Sequence, residues 1–284
     1  MRRSEWMCPL MGILVVILGI WAYAADGGEE LDNAKWRIQA NGWVSTPSGY
    51  FNGQNREGTF NLERDFGFGN YVTFSGRVDW RFKRKHHLLL FTSPVVSSRT
   101  TNITRTIMWE GETYDLGSRV SSKVRTLILT PGYQYDFFRR RTWSLGVLAN
   151  LNLIYTDASL KLAASTTGSG GSASGSREAT GRFFAPLPAL GPAFHWYPLP
   201  KSARFYVDGN FTGMSFFGYG NLYAASGMMG IPVGHHWDAR AGYLLGSRLK
   251  VTGSSNQIGL RLTQKGPSFG ILYHWGAIQT RKRE

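Results

Sequence analysis

The chain has one cysteine and, beyond its N-terminus, no long hydrophobic run, and each absence excludes a class of protein. Cys8 precedes the hydrophobic part of the N-terminus, so residues 25–284 contain no cysteine and form no intramolecular disulfide. No later stretch approaches the ~20 apolar residues of a membrane-spanning helix. With 42% hydrophobic and 18% charged residues, the chain is also too apolar to be disordered.

Two further enzymatic signatures are missing. H-E-x-x-H does not occur, and the glycine-serine tract at 166–176 lacks the Lys-Ser/Thr of a phosphate loop. The tract is therefore interpreted as a flexible loop. We predict no catalytic residue, no cofactor and no metal ion.

The N-terminus has the three parts of a secretory signal. Arg2 and Arg3 precede an apolar run at 11–21, and Ala22-Tyr23-Ala24 forms a small-x-small cleavage site. We predict a signal peptide at 1–24 and a short periplasmic tail at 25–34. Removal of the signal peptide lowers the formal net charge from +14 to +13. Because the chain is exported, its expected counter-charges are anionic lipid headgroups and acidic solutes, not nucleic acid.

The body of the chain shows the two-residue period of β-strands, most clearly at 71–82. One parity is apolar, with Val72, Phe74, Val78, Trp80 and Phe82. The other is polar, with Thr73, Ser75, Arg77, Asp79 and Arg81. In a soluble barrel the apolar face would point inward, whereas in a membrane barrel it faces lipid and the charged face lines the lumen.

The same alternation predicts about ten strands, with eight or twelve as alternatives. They lie at 36–45, 71–82, 86–97, 124–138, 143–156, 183–197, 203–212, 221–231, 237–251 and 256–275. The last strand is predicted to carry a bulge at 264–267, where its apolar parity changes. Polar segments at 46–70 and 99–122 are predicted loops, the second with a hairpin around Glu110-Gly111.

Connections after even-numbered strands are short and those after strands 1, 3 and 5 are long, which is typical of short periplasmic turns and long outer loops. We therefore predict a barrel at 35–276 and a basic C-terminal tail at 277–284.

Aromatic residues collect at the strand ends next to the short turns. Six of the eight tryptophans after the signal peptide lie there. We predict that they join phenylalanines in one girdle at a membrane interface, formed by Trp36, Trp80, Phe82, Phe137, Trp143, Trp196, Trp237 and Trp275. A soluble sandwich gives no reason for this placement, so the girdle favours a membrane barrel.

Three segments resemble those of small single-chain bacterial outer-membrane β-barrels, the OmpA/OmpW-like group. They are G-R-V-D-W-R-F before a basic turn, P-G-Y-Q-Y-D-F, and the final G-P-S-F-G-I-L-Y-H-W. The resemblance implies an all-β antiparallel transmembrane barrel in the cell outer membrane. It also implies contact with lipopolysaccharide and phospholipid, and assembly by the barrel-assembly machinery. Such barrels usually stop at a terminal aromatic residue, whereas residues 276–284 follow Trp275 here.

The polar parity predicts the residues that line the lumen. They are Arg37, Arg77, Asp79, Arg81, Asp136, Arg204, Asp208, Asp238, Arg240 and Arg261. Barrels of about eight strands are filled by side chains and those of about 16 enclose a channel. A filled, paired network is therefore favoured over a narrow anion-favouring path, and a large pore is excluded.

The predicted function is that of a non-enzymatic outer-membrane barrel with an envelope structural role or a narrow passage for small solutes through a basic lumen. One alternative is a barrel enzyme that acts on lipid, a hydrolase or acyltransferase, which needs a carboxylate or serine bonded to one of the six histidines. Another is a soluble, lipocalin-like secreted binding barrel. That alternative requires inward-facing apolar residues, namely Phe74, Val78, Leu145, Val147 and Leu151.

Overall fold

A computed structural model describes residues 32–52, 59–61, 63, 69–102, 107–109, 112–114, 119–162, 178–199, 205–216, 220–251 and 259–277. All regular structure in these ranges is β. The strands are β1 (Ala34–Asn52), β2 (Thr59–Asn61), β3 (Tyr71–Lys83), β4 (His86–Asn102), β5 (Ile107–Trp109), β6 (Glu112–Tyr114), β7 (Arg119–Arg139), β8 (Trp143–Leu162), β9 (Glu178–Trp196), β10 (Tyr206–Phe216), β11 (Gly220–Pro232), β12 (Trp237–Val251) and β13 (Gly259–Ala277). Within these ranges no helix is long and apolar enough to cross a membrane.

Ten long strands close into one antiparallel barrel. Each pairs with its neighbours in the order β1-β3-β4-β7-β8-β9-β10-β11-β12-β13, and β13 pairs with β1 to close the ring. The short β2 adds to the outer end of β1, and β5 and β6 form the separate hairpin expected around Glu110-Gly111. The prediction of a closed ten-stranded antiparallel barrel is confirmed. The predicted signal peptide, the glycine-serine tract and residues 278–284 lie outside the described ranges.

The apolar faces of the strands point away from the barrel axis. Phe74 is 69% exposed and Leu151 is 39% exposed, whereas Asp79 is 7% and Arg81 2% exposed. The inward apolar face required by the lipocalin-like alternative is therefore wrong. The facing of β4, which its leucines left undecided, is also settled. Leu88 and Leu90 are 43% and 45% exposed, whereas Leu89 is 8% exposed and lies inside.

The outward apolar residues form a belt of constant height. On β7 the belt runs from Leu127 to Phe137, and on β8 it runs from Leu145 to Tyr155. Ten residues at ~3.3 Å each extend ~33 Å along a strand. At a tilt of ~40° this is a vertical height of ~25 Å, which equals the apolar band of outer-membrane barrels.

Polarity reverses where the strands pass the outer edge of this belt. On β7, outward positions change from Leu127 to Arg125 and Lys123, while the inward Val120 is 1% exposed. On β8, Lys161 points outward and Leu160, at 3% exposure, points inward. Beyond the belt the exterior is therefore polar, and the interior holds buried apolar side chains.

The reversal corrects the predicted loops. Residues 46–52 belong to β1, and residues 99–102 and 119–122 belong to β4 and β7, although all of them were predicted as loop. Their outward side chains are polar because no lipid surrounds them there, so the lipid-facing alternation ends before the strands do.

The predicted bulge at 264–267 is wrong for the same reason. The pairing between β13 and β1 keeps the same register before and after this segment, with Trp43 opposite Ser268 and Thr46 opposite Lys265. The register shift lies in β12, between Leu244 and Ser247. The change of apolar parity along β13 therefore marks the edge of the belt rather than an extra residue.

Three prolines of β9 point outward and interrupt one seam. Pro186, Pro188 and Pro192 keep their register with β8. The ladder between β9 and β10 is broken between the pairs Asn210–Ala193 and Gly213–Leu190, around Pro192. Proline has no N–H to donate, so this break is the expected cost of proline inside a barrel wall.

Candidate functional site

The charged residues of the lumen gather in its short-turn half, around a cavity of about 260 Å³. Eight of the ten predicted lumen residues lie in this region, namely Arg37, Arg77, Asp79, Arg81, Asp136, Asp208, Asp238 and Arg240. Strands β1, β3, β7, β10 and β12 carry them on their inward parity. Buried side chains from opposite walls of the barrel thus meet across a narrow space.

One group of contacts centres on Asp136. Its Oδ2 accepts a hydrogen bond from Nη1 of Arg139 at 2.7 Å, and Nε2 of His87 lies 3.2 Å from the same atom. Nδ1 of His87 is 3.0 Å from Oδ1 of Asp79. Nε2 of Gln134 donates to Oδ1 of Asp136 at 2.7 Å. Three adjacent strands are therefore linked through a histidine held between two buried carboxylates.

Asp32, which precedes β1, closes the short-turn end of this network. Nη2 of Arg81 donates to Oδ2 of Asp32 at 2.6 Å, and Nη1 donates to its backbone oxygen at 2.9 Å. Arg139 lies 3.2 Å from the same carboxylate, and Arg37 also donates to it. One residue of the predicted periplasmic tail is thus bound by three arginines from β1, β3 and β7.

A second group lies on the opposite wall. Asp208 on β10 is bonded to Nδ1 of His195 and to Arg240, and Arg240 also donates to Gln39. The hydroxyl of Tyr206 donates to Asp238 at 2.8 Å, and His274 lies 3.6 Å from Asp238.

Tyr197, in the turn after β9, covers the edge of this second group. Its ring centroid is 5.0 Å from that of His195 and 5.6 Å from that of Tyr206. Burial raises the pKa of Tyr197 to about 12, so its phenol stays protonated at neutral pH.

Cations and carboxylates of the two groups are equal in number. Five arginines (Arg37, Arg77, Arg81, Arg139 and Arg240) share the region with five aspartates (Asp32, Asp79, Asp136, Asp208 and Asp238). The charges of these arginines and aspartates therefore cancel one another.

His195 is the histidine whose surroundings resemble a catalytic arrangement. Its Nδ1 is bonded to Asp208, and within the described ranges its buried Nε2 has no hydrogen-bond partner. Ser144 is in register with His195 on β8 and lines the same cavity. His87 and His274 also have aspartate partners, so the histidines are not unpartnered. Among the described residues, no group of three or more His, Cys, Asp or Glu could hold a metal ion.

Two predicted lumen residues lie elsewhere. Arg204 is outside the described ranges. Arg261 pairs in register with Tyr50, and its guanidinium lies 5.7 Å from that ring. It shares the outward parity of Lys265 and Phe269 on β13. Its placement in the lumen is therefore wrong, because it followed from the bulge that β13 lacks.

The predicted girdle residues lie around the short-turn end. Trp36 stacks between Trp80 and Trp275, with centroid distances of 5.3 and 5.9 Å. Phe82 contacts Trp80 at 5.6 Å, and Trp143 is in register with Trp196. Phe137 and Trp143 each contact Phe138, and Trp237 and Trp275 each contact Tyr273.

Several members of the network were not predicted. His195 alternates with the outward Phe194 and Trp196, so the sequence did hold a signal for its inward position. His87 had no such signal while the facing of β4 was open. Asp32 lies outside any strand, and its partners Arg81 and Arg139 are 49 and 107 residues away. No local pattern reports contacts over such separations.

Comparison with known proteins identifies the class of the barrel. No protein-family profile matches the sequence, and no curated protein matches it significantly. Among solved structures, the outer-membrane protease OmpT of Escherichia coli matches over 87% of this chain and 99% of its own, with a TM-score of 0.52 and 13% identity.

Neisserial surface protein A matches over 85% of this chain and 98% of its own, at a TM-score of 0.31 and 14% identity. The toluene transporter TodX of Pseudomonas putida matches over 87% of this chain and 91% of its own, at a TM-score of 0.36 and 9% identity. The chain has the fold of the small bacterial outer-membrane barrels. At these identities the likeness concerns the fold alone, and the narrower OmpA/OmpW-like grouping remains a prediction.

Proposed function

We propose that the protein is a non-enzymatic barrel of the outer membrane, exported by its N-terminal signal, whose closed lumen serves a structural role in the envelope. The observation that carries this proposal is the binding of Asp32 by three arginines of the barrel wall. Asp32, which directly precedes Asn33 and β1, thus lies at the short-turn end of the lumen.

Two further features support closure. Among the charged residues of the lumen, the five arginines are matched by five aspartates. Above them, Leu89, Leu148 and Ala193 form an apolar cluster inside the barrel, each at most 8% exposed. Nearer the outer end, Val120 and Leu222 are 1% and 6% exposed. These buried apolar side chains narrow the lumen, and an ion that passes them loses hydration without compensation there.

A planar-bilayer recording tests closure against the narrow passage. The purified protein is expected to give flat traces, while a 16-stranded porin reconstituted in the same way gives unitary steps. Reproducible steps from this protein would contradict a closed lumen. Location is tested on the same preparation, since a barrel of the outer membrane is expected to co-fractionate with that membrane and to show heat-modifiable migration.

The second candidate is a barrel hydrolase built on Ser144, His195 and Asp208. The observation that favours it is the Nε2 of His195, which has no hydrogen-bond partner among the described residues and lies on the same inward face as Ser144. The cavity lies in the short-turn half of the barrel, away from the outer end, so the structural role is preferred. A fluorophosphonate probe is expected to leave the protein unlabelled. Labelling that disappears in Ser144→Ala would overturn the non-enzymatic assignment.

A further inference from the structure

A basic patch lies on the outside of the barrel, beyond the outer edge of the apolar belt. We call it the β7–β9 basic patch. Its five cations alternate with inward residues on three adjacent strands, and they are Arg119, Lys123 and Arg125 on β7, Lys161 on β8 and Arg182 on β9. All of them are exposed except Lys123, which is half-buried.

The register fixes the height of the patch relative to the belt. Leu127, Tyr155 and Phe184 form the last outward apolar row, because Leu127 pairs with Tyr155 and Tyr155 pairs with Phe184. The next outward row is Arg125, Asp157 and Arg182. Successive outward rows are ~6.6 Å apart along the strands. Arg125 and Arg182 therefore stand within one row of the hydrocarbon boundary.

Positive charge in the patch exceeds negative charge. Asp157 stands between Arg125 and Arg182, and Glu178 is in register with Lys161. Against five cations, these two carboxylates leave an excess of three positive charges. None of the five cations makes a hydrogen bond or an ion pair to another described residue. The arginines are thus available to a ligand outside the chain.

The position and the chemistry together define the ligand. A group that meets the patch has its acyl chains against Leu127 and Phe184 and its anionic headgroup at Arg125 and Arg182. Guanidinium groups bind phosphate through paired N–H donors. Adjacent strands are ~4.8 Å apart, so Arg125 and Arg182 are separated by ~10 Å, within the width of one sugar-phosphate headgroup.

We propose that the β7–β9 basic patch binds the phosphorylated headgroup of an outer-leaflet glycolipid, of which lipopolysaccharide is the representative. The inference rests on the proposed outer-membrane location and adds the surface and the ligand chemistry. The row of Arg125 and Arg182 binds phosphates at the hydrocarbon boundary. Lys123, Lys161 and Arg119 hold anionic groups of the saccharide above it.

Binding is measured with the full barrel in detergent micelles at physiological salt, with purified lipopolysaccharide as the probe. The patch variant carries Lys123→Gln, Arg125→Gln and Arg182→Gln. A matched variant removes the same charge from exposed positions at the short-turn rim, by Lys83→Gln, Arg84→Gln and Arg140→Gln. Heat-modifiable migration of both variants establishes that each barrel is folded.

We expect the patch variant to bind lipopolysaccharide at least about tenfold more weakly than the wild type, since each cation at an anionic surface contributes a factor of roughly five. The rim variant is expected to stay within about twofold, because its charges lie at the other end of the barrel. Dephosphorylated lipopolysaccharide is expected to bind the wild type as weakly as intact lipopolysaccharide binds the patch variant.

Equal weakening in the two variants would overturn the proposal, since net charge alone would then explain binding. Equally tight binding of soluble heparin, lost in the patch variant, would assign the patch to a soluble polyanion instead. Unchanged binding by a folded, heat-modifiable patch variant defeats this inference alone. A wild-type protein that neither co-fractionates with outer membrane nor shows heat-modifiable migration defeats the proposed function.

Discussion

Replacing Asp136 by alanine is expected to lower the free energy of unfolding by about 3–5 kcal/mol, the range observed when one partner of a buried ion pair is removed. Asp136 is 1% exposed, and the side chain of its partner Arg139 is 2% exposed. The variant leaves a buried guanidinium with less compensating charge, and it also removes the acceptor of bonds from His87 and Gln134.

The measurement is reversible urea unfolding in phospholipid vesicles, followed by tryptophan fluorescence. Asp157→Ala is the matched control, because it removes the same side chain from an outward position beyond the belt. Its effect is expected to stay within about 0.5 kcal/mol, as for most surface substitutions. A loss below about 1 kcal/mol for Asp136→Ala would show that water already screens the network, and it would contradict a closed lumen.

Replacing Leu151 by arginine is expected to destabilise the barrel by about 2–4 kcal/mol, the cost of this charge on the lipid face at the bilayer midplane. Leu151 is 39% exposed and lies near the centre of the outward series on β8, which runs from Leu145 to Tyr155. Its guanidinium would enter hydrocarbon without a partner.

Ser159→Arg is the control for this second substitution. It lies on the same outward parity of β8 but two rows beyond Tyr155, where the expected cost is only about 0–1 kcal/mol. Both variants are measured by urea unfolding in vesicles of the same lipid. Equal stability of the two variants would contradict the position of the belt.

The sequence predicted those parts of the fold that lipid constrains. Within the belt, every outward residue must be apolar, and the alternation at 71–82 and 143–156 therefore identified β3 and β8 with their facing. Outside the belt that constraint disappears. The outer part of β7, with Arg125 and Lys123 outward and Val120 inward, has the opposite polarity and was interpreted as loop.

The lumen was predictable only where its residues share a strand with clear alternation. Arg77, Asp79 and Arg81 were placed by β3, and Asp238 and Arg240 by β12. Arg261 was misplaced because a change in polarity at the belt edge was taken for a change in register. Asp32 was missed because its contacts join distant parts of the chain, and only closure of the ring brings Arg81 and Arg139 to one carboxylate.

The most direct test of the outward-facing apolar belt is a single-cysteine scan of β8 with nitroxide spin labels. The absence of cysteine from residues 25–284 makes each label unique. In vesicles, collision with dissolved oxygen is expected to peak at 145, 147, 149, 151, 153 and 155 and to fall at the even positions between them. At 157, 159 and 161, the collision rate of the label with a water-soluble nickel chelate is expected to exceed its collision rate with oxygen. Oxygen maxima at the even positions, with Val147 and Leu151 shielded, would contradict the barrel orientation and everything inferred from it.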